Sequence, residues 1–114
     1  HNALTGGQAI GCDTVQIFTA SPRQWSAKPL TDAAIADFKA AVRGTGITPV
    51  CAHDSYLINL ATPDPDRLEQ SRRAFLDEIE RAEALGLDFV VTHMGAHTGS
   101  GIDAGVAQLA ASLD

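Results

Sequence analysis

The feature that most constrains this chain is a repeat of three short apolar runs, each followed by a longer amphipathic stretch. The runs are TVQIFT at residues 14–19, ITPVCA at 47–52 and DFVVT at 88–92. Each is rich in β-branched or aromatic residues and bounded by turn-forming or polar ones, as strands are. The first ends at Ala20-Ser21-Pro22. The second is left through His53-Asp54-Ser55, and the third runs into His93-Met94-Gly95. The stretches between them have helical spacing. Thr31 is the expected N-cap, Asp32 lies in the first turn, and Ala34, Ile35, Phe38, Ala41 and Val42 mark an apolar side that Gly44 and Gly46 end. A long helix is expected over 64–85, with Leu68, Phe75, Ile79, Ala82 and Leu85 as its apolar stripe and Gly86 behind it. Its wet face would carry Glu69, Arg72, Arg73, Asp77, Glu80 and Arg81. A last helix over 102–113 has Val106, Leu109 and Leu113 on one side.

Repeated β-α units imply an α/β fold with a parallel sheet. Strands that are nearly continuous apolar runs suit a sheet covered on both faces. Two architectures fit, an open doubly wound sheet and a TIM barrel, and periodicity alone does not choose between them. No GxGxxG or GxxxxGK[ST] follows a strand, so the two commonest phosphate-loop readings lack support. A complete barrel takes about 250 residues, so 114 residues make less than half of one. The chain opens on His1 rather than Met, and its last residues read as a helix stopped midway. It is expected to be part of a single longer domain, cut at both ends.

Hydrophobic residues make up 45% of the chain and charged ones 19%, a globular balance without the signature of disorder. No apolar run approaches the roughly 18–20 residues of a membrane span, and no secretory leader is visible. A cytoplasmic location without membrane contact is expected. The net charge of −6 argues against a protein held on nucleic acid by a broad basic surface. It leaves room for a local cationic groove or for bound metal ions that reverse the local field. Cys12 and Cys51 belong to no CxxC or Cys/His cluster and are expected to be two buried thiols in a reducing compartment.

The informative polar residues fall where the strands end. His53 and His93 stand at the carboxyl ends of the second and third runs, 40 positions apart, one β-α repeat. In a barrel, side chains at strand C-termini converge on the active site. Two imidazoles there could hold one divalent ion, zinc above all, or could simply cap their strands through hydrogen bonds. A catalytic zinc takes three protein ligands, so the pair needs at least one more, a carboxylate from elsewhere. His97 follows His93 by four residues, but Gly95 and Gly99 place this HxxxH on a loop, where a surface histidine is the simpler reading. His1 could close a preceding strand and face the same site. Arg23-Gln24-Trp25, in the loop after the first strand, combines a cation, an amide and a large aromatic. That set suits contact with phosphate and bases, or else a loop pinned by a half-buried Trp. Tyr56-Leu57, just past His53, could wedge into a base stack or pack down as loop core.

Together these loops resemble the endonuclease IV family. The resemblance rests on HDSYLINL at residues 53–60, on Arg23-Gln24-Trp25 preceded by Ile17-Phe18-Thr19 and followed by Pro29-Leu30, and on SRRAF through LGL at 71–87. It rests also on His93-x-Gly-x-His97, with Met94 where proline is usual, and runs over essentially the whole chain. It implies a TIM-barrel enzyme with a trinuclear zinc cluster that cleaves the phosphodiester 5′ to abasic sites in double-stranded DNA, monomeric when complete. Carried over, His53 and His93 would be ligands to one zinc, at most one partial site in this chain. Arg23, Tyr56 and Leu57 would enter the DNA stack beside Gln24 and Trp25. His1 would match a histidine of the family's opening motif, from which Asn2 and Leu4 depart. The remaining ligands would lie on later strands, so the 114 residues alone are expected to be inactive. The competing reading is a sugar isomerase or epimerase of the xylose isomerase-like superfamily, which would use the same strand-end ligands but needs no protruding wedge. A metal-free structural or DNA-binding remnant is a third.

Overall fold

The strands pair in the order in which the chain lays them down. The computed structural model describes residues 2–114, and in it β1 (Val15–Ile17), β2 (Val50–His53) and β3 (Phe89–Val91) form one parallel sheet ordered β1-β2-β3. A helix, α1 (Asn2–Ala9), precedes β1, and α2 (Asp32–Thr45), α3 (Pro65–Leu85) and α4 (Ile102–Leu113) follow the three strands in turn. Helix α1 lies against α2 and α2 against α3. Sequential strand order with neighbouring helices in a row fits one wall of a barrel, and one half of a doubly wound sheet has the same order, since that fold reverses only between its halves. The molecule is α/β with a partial, wholly parallel sheet.

The pleat divides the sheet into two faces. Val15 pairs with Val50 and Ile17 with Ala52, and this face packs on Leu4, Phe38 and Leu85 from the helices and on Ile47 from the connection before β2. Gln16 pairs with Cys51, Cys51 with Phe89 and His53 with Val91 on the face opposite. The helix ends follow the local chemistry. Thr31 Oγ1 accepts from Ala34 N at 3.1 Å, and Asp64 Oδ1 accepts from Asp66 N and Arg67 N at 3.0 and 3.1 Å, so both N-termini have their amides capped. Gly46 and Gly86 close α2 and α3 in the left-handed region that glycine adopts without strain.

Several expectations need correction. The strands are shorter than the apolar runs. Pro49 offers no N–H, so pairing of the second strand starts at Val50, and Thr19 leaves the first to bond side chains of α3. Helix α1 was not foreseen, because Gly6-Gly7 weakens helix propensity. Packing overrides it: Leu4 is fully buried, and a Cβ on Gly7 would sit 2.9 Å from Val15 Cγ1. The expected stripe of α3 holds at Leu68, Phe75, Ala82 and Leu85, which are buried or half-buried, and fails at one position. Ile79 is exposed, while Arg81, assigned to the wet face, is buried together with Glu78. Arg72 is half-buried and donates from Nε to Ser112 Oγ at 3.1 Å. On α4, Val106 and Leu113 are exposed, since nothing among the described residues covers that side. Cys12 and Cys51 are free thiols, partly exposed rather than buried. No helix among the described residues is long and apolar enough to cross a membrane.

Candidate functional site

The carboxyl rim of the sheet brings the two histidines side by side. His53 is the last residue of β2, and His93 follows β3 by two positions. Their rings stack at 23° with centroids 6.3 Å apart, and Phe18 stands 6.1 Å from His53 on its other side. Nδ1 of His53 lies 2.8 Å from the carbonyl oxygen of Asp54. A carbonyl only accepts, so Nδ1 carries the proton and Nε2 keeps its lone pair for a ligand. Nε2 of His93 is buried with no hydrogen-bond partner. An orphaned nitrogen of this kind costs about 1–3 kcal/mol, and a metal ion is the partner that imidazole suits. The pair therefore fits half of a zinc site. No group of three His, Cys, Asp or Glu gathers among the described residues.

Asp54 supports the pair from below. It is fully buried, its N–H donates to Val91 O at 3.0 Å, and its Oδ2 accepts from Thr92 Oγ1 at 2.6 Å. Its Oδ1 has no hydrogen bond and lies 3.4 Å from His53 Nδ1. Burial pushes its carboxyl above the usual carboxylate range, and the Thr92 bond and the two imidazoles pull the other way.

One amide ties the two histidine loops together. Asn59 Oδ1 accepts from Ala61 N at 3.1 Å and Ala96 N at 3.0 Å, and its Nδ2 donates to Ala96 O at 2.9 Å. The approach is so close that a Cβ on Gly95 would fall 2.3 Å from Asn59 Oδ1, and Gly95 has a φ of +86°. Only glycine fits there.

Of the expected DNA-facing residues, Trp25, Tyr56 and Leu57 share one groove, while Arg23 and Gln24 are not part of its lining. Ser55 Oγ donates to Pro22 O at 2.7 Å and accepts from Leu57 N at 3.2 Å, hooking the Tyr56-Leu57 turn to the Arg23–Trp25 loop. Trp25, Tyr56 and Leu57 line an open groove of about 680 Å³ with Asn59, Arg67 and Gln70. Arg23, Gln24, Trp25 and Tyr56 are exposed and Leu57 is half-buried. His97 serves the loop instead: its Nδ1 accepts from Gly99 N at 3.1 Å and Gly101 N at 3.2 Å, and its Cβ seats against Gly105. His1 lies outside the described residues.

Sequence reasoning missed Asn59, Ser55, Glu78 and Arg81. Asn59 had a signal, as a lone amide between Ile58 and Leu60, both buried. Glu78 and Arg81 had one too: opposite charges three residues apart beside Ala82 and Leu85.

Known proteins share this fold. The family described as xylose isomerase-like TIM barrel matches residues 7–114. A probable endonuclease 4 of Chloroflexus aggregans is 49% identical over 107 residues, 94% of this chain and 37% of its own length. The crystal structure of endonuclease IV from Thermus thermophilus superposes with a TM-score of 0.81 at 32% identity, over 97% of this chain and 39% of that one. D-Psicose 3-epimerase from Clostridium cellulolyticum superposes with a TM-score of 0.71 at 22% identity, over 96% of this chain and 39% of that one, a likeness of fold alone. The chain thus spans between 37% and 39% of the length of these proteins. It belongs to the xylose isomerase-like TIM-barrel family, and within it resembles the endonuclease IV proteins.

Proposed function

We propose that this chain supplies the first strands of a zinc-dependent apurinic/apyrimidinic endonuclease, a cytoplasmic and monomeric repair enzyme that cuts DNA 5′ to abasic sites. The observation that carries the reading is the meeting of two kinds of residue on one rim. The stacked pair His53 and His93 has nitrogens free for a metal, and beside it Trp25, Tyr56 and Leu57 line an exposed groove. The match to endonuclease 4 sequences over nearly the whole chain supports it.

Zinc, when bound, supplies neutralisation of phosphate charge and activation of water at neutral pH. The chain's own residues do the rest of the work assigned to this segment. His53 presents Nε2 because its other nitrogen is bonded to Asp54 O. Tyr56 and Leu57, with Arg23, offer side chains that replace lost stacking when an abasic nucleotide leaves the helix. Trp25 extends that contact along the groove, and Gln24 precedes it in the exposed loop. The remaining ligands of a three-zinc cluster come from strands beyond β3, so the 114 residues by themselves do not cut DNA. The sugar isomerase or epimerase alternative gives no role to a Tyr56 that is 57% exposed at the mouth of the site.

The test is incision of a duplex carrying one tetrahydrofuran abasic analogue. It uses a complete barrel bearing this segment, with zinc, with chelator and with His53→Ala. Chelator-sensitive cutting 5′ to the lesion, impaired by His53→Ala, is the expected result. A folded, zinc-loaded barrel that leaves the duplex intact would refute the reading. Cutting by the 114-residue chain alone would refute its inactivity.

A further inference from the structure

The Arg23–Trp25 loop has an anchor outside the rim. Residues 18–31 form neither helix nor strand, and they are tied to α3, 62 positions further along the chain. Arg81 reaches both ends of this loop. Its Nε donates to Thr19 Oγ1 at 3.2 Å, one terminal nitrogen donates to Lys28 O at 2.8 Å, and the other donates to Thr19 O. Thr19 Oγ1 in turn donates to Glu78 Oε2 at 2.6 Å. Arg81 and Glu78 are both buried. A guanidinium is a planar fork of donors with fixed spacing, so one side chain sets the separation of Thr19 and Lys28. The Ser55 bond to Pro22 adds a third fixed point, and the exposed residues 23–25 lie between Pro22 and Lys28.

We propose that Arg81 is a positioning residue. With Glu78 orienting Thr19, it holds the β1–α2 loop in the shape that presents Arg23, Gln24 and Trp25 to DNA, and it touches neither the DNA nor the metal pair. The consequence for DNA rests on the repair reading above; the clamp itself does not. Burying a charge is costly unless its partners are well placed. Here the oxygens that accept from the guanidinium all belong to one loop, which makes loop geometry the thing the burial secures. A loop held in its bound shape binds better because less freedom is lost on association.

Two measurements test this. Trp25 is the only tryptophan of the chain, so its fluorescence anisotropy and quenching report on the loop directly. Arg81→Met and Thr19→Val in the 114-residue chain, with helix content checked by circular dichroism, should both increase Trp25 mobility and quenching. Thr19→Val carries the test if Arg81→Met does not fold. Unchanged Trp25 mobility in a folded variant overturns the proposal, whatever the enzyme does. In a complete barrel, Arg81→Met should weaken binding of the abasic duplex about tenfold. It should leave zinc content unaltered and kcat within about twofold. Added to Arg23→Ala/Trp25→Ala, it should weaken binding no further, because its effect passes through that loop. Additive losses, or a loss of zinc, overturn it. A mobile Trp25 in a barrel that never cuts DNA upholds the clamp and removes the repair reading alone.

Discussion

The two ends of the sheet are built from the same kind of unit and are not equally finished. Around β1 and β2, Leu4, Phe38, Ile47, Val50 and Leu85 form a closed cluster with strands on one side and helices on the other. Around β3 and α4 the apolar side chains have no cover: Phe89 is 51% exposed, Ile102 73% and Val106 59%, against 0% for Leu4. The sequence patterns of the two regions are alike. What differs is the helix layer, since β1 and β3 each have a strand on one side only, but α1 packs on β1 and on α2 while α4 makes no extensive contact with another element. Burial in a repeating fold is therefore a property of position in the array, and an amphipathic helix becomes core only when the next unit arrives. The exposed edge of β3 beside Phe89 is also where such a chain would self-associate.

Four substitutions sharpen the contrast, and the largest effect lies in the finished half. Leu4→Ala should cost about 2–5 kcal/mol in urea unfolding, because it empties a fully enclosed site. Val106→Ala should stay within about 0.5 kcal/mol in the same experiment. Equal costs would erase the distinction, and a rise for Val106→Ala once further strands cover α4 would confirm its source. Gly95→Ala comes next, at about 1–3 kcal/mol. It forces a side chain into the left-handed region and onto Asn59, so the open half should prove to be held by this polar staple more than by apolar packing. Asn59→Ala removes the obstruction, and the added cost of Gly95→Ala in that background should shrink; an undiminished cost would mean that backbone strain alone is responsible.

The smallest effect is a pH slope. Burial raises the Glu78 carboxyl above its ordinary range, more than its bond from Thr19 and the charge of Arg81 lower it. The fold thus prefers the protonated acid, whereas an unfolded glutamic acid ionises near about pH 4.3. The stability Glu78 contributes is present below that pH and is lost as pH rises through the folded-state value. Glu78→Gln cannot ionise. Its stability relative to the parent should grow as pH rises above the unfolded glutamic acid's range, read from urea midpoints. A constant difference would show that Glu78 is ionised in the fold at no cost.

The sequence made the β-α repeat, four helix starts and stops and the strand-end histidines legible because each rests on local chemistry. Thr31 and Asp64 cap whatever helix follows them, and Gly46 and Gly86 end theirs, wherever the chain lies in space. The gathering of Trp25, Tyr56 and Leu57 was legible as a resemblance of motifs, while the groove they share depends on Ser55 bonding a loop 33 residues away. Helix α1 and the burial of Arg81 on α3 were not legible. Gly7 argues against a helix until Val15 needs its missing side chain, and Arg81 argues for water until Thr19 and Lys28 satisfy it. In each case the deciding partner is remote in sequence.

Asn59 has a further consequence for how the histidine pair would meet an ion. Its carboxamide joins two loops 37 residues apart, so His53 and His93 keep their spacing before anything binds between them. Capture of a metal then requires encounter and loss of bound water, with no prior search through loop conformations, and the rate should follow ion concentration from the first contact. Without that amide, the same two imidazoles would have to find each other first, and uptake would become limited by the motion of the chain.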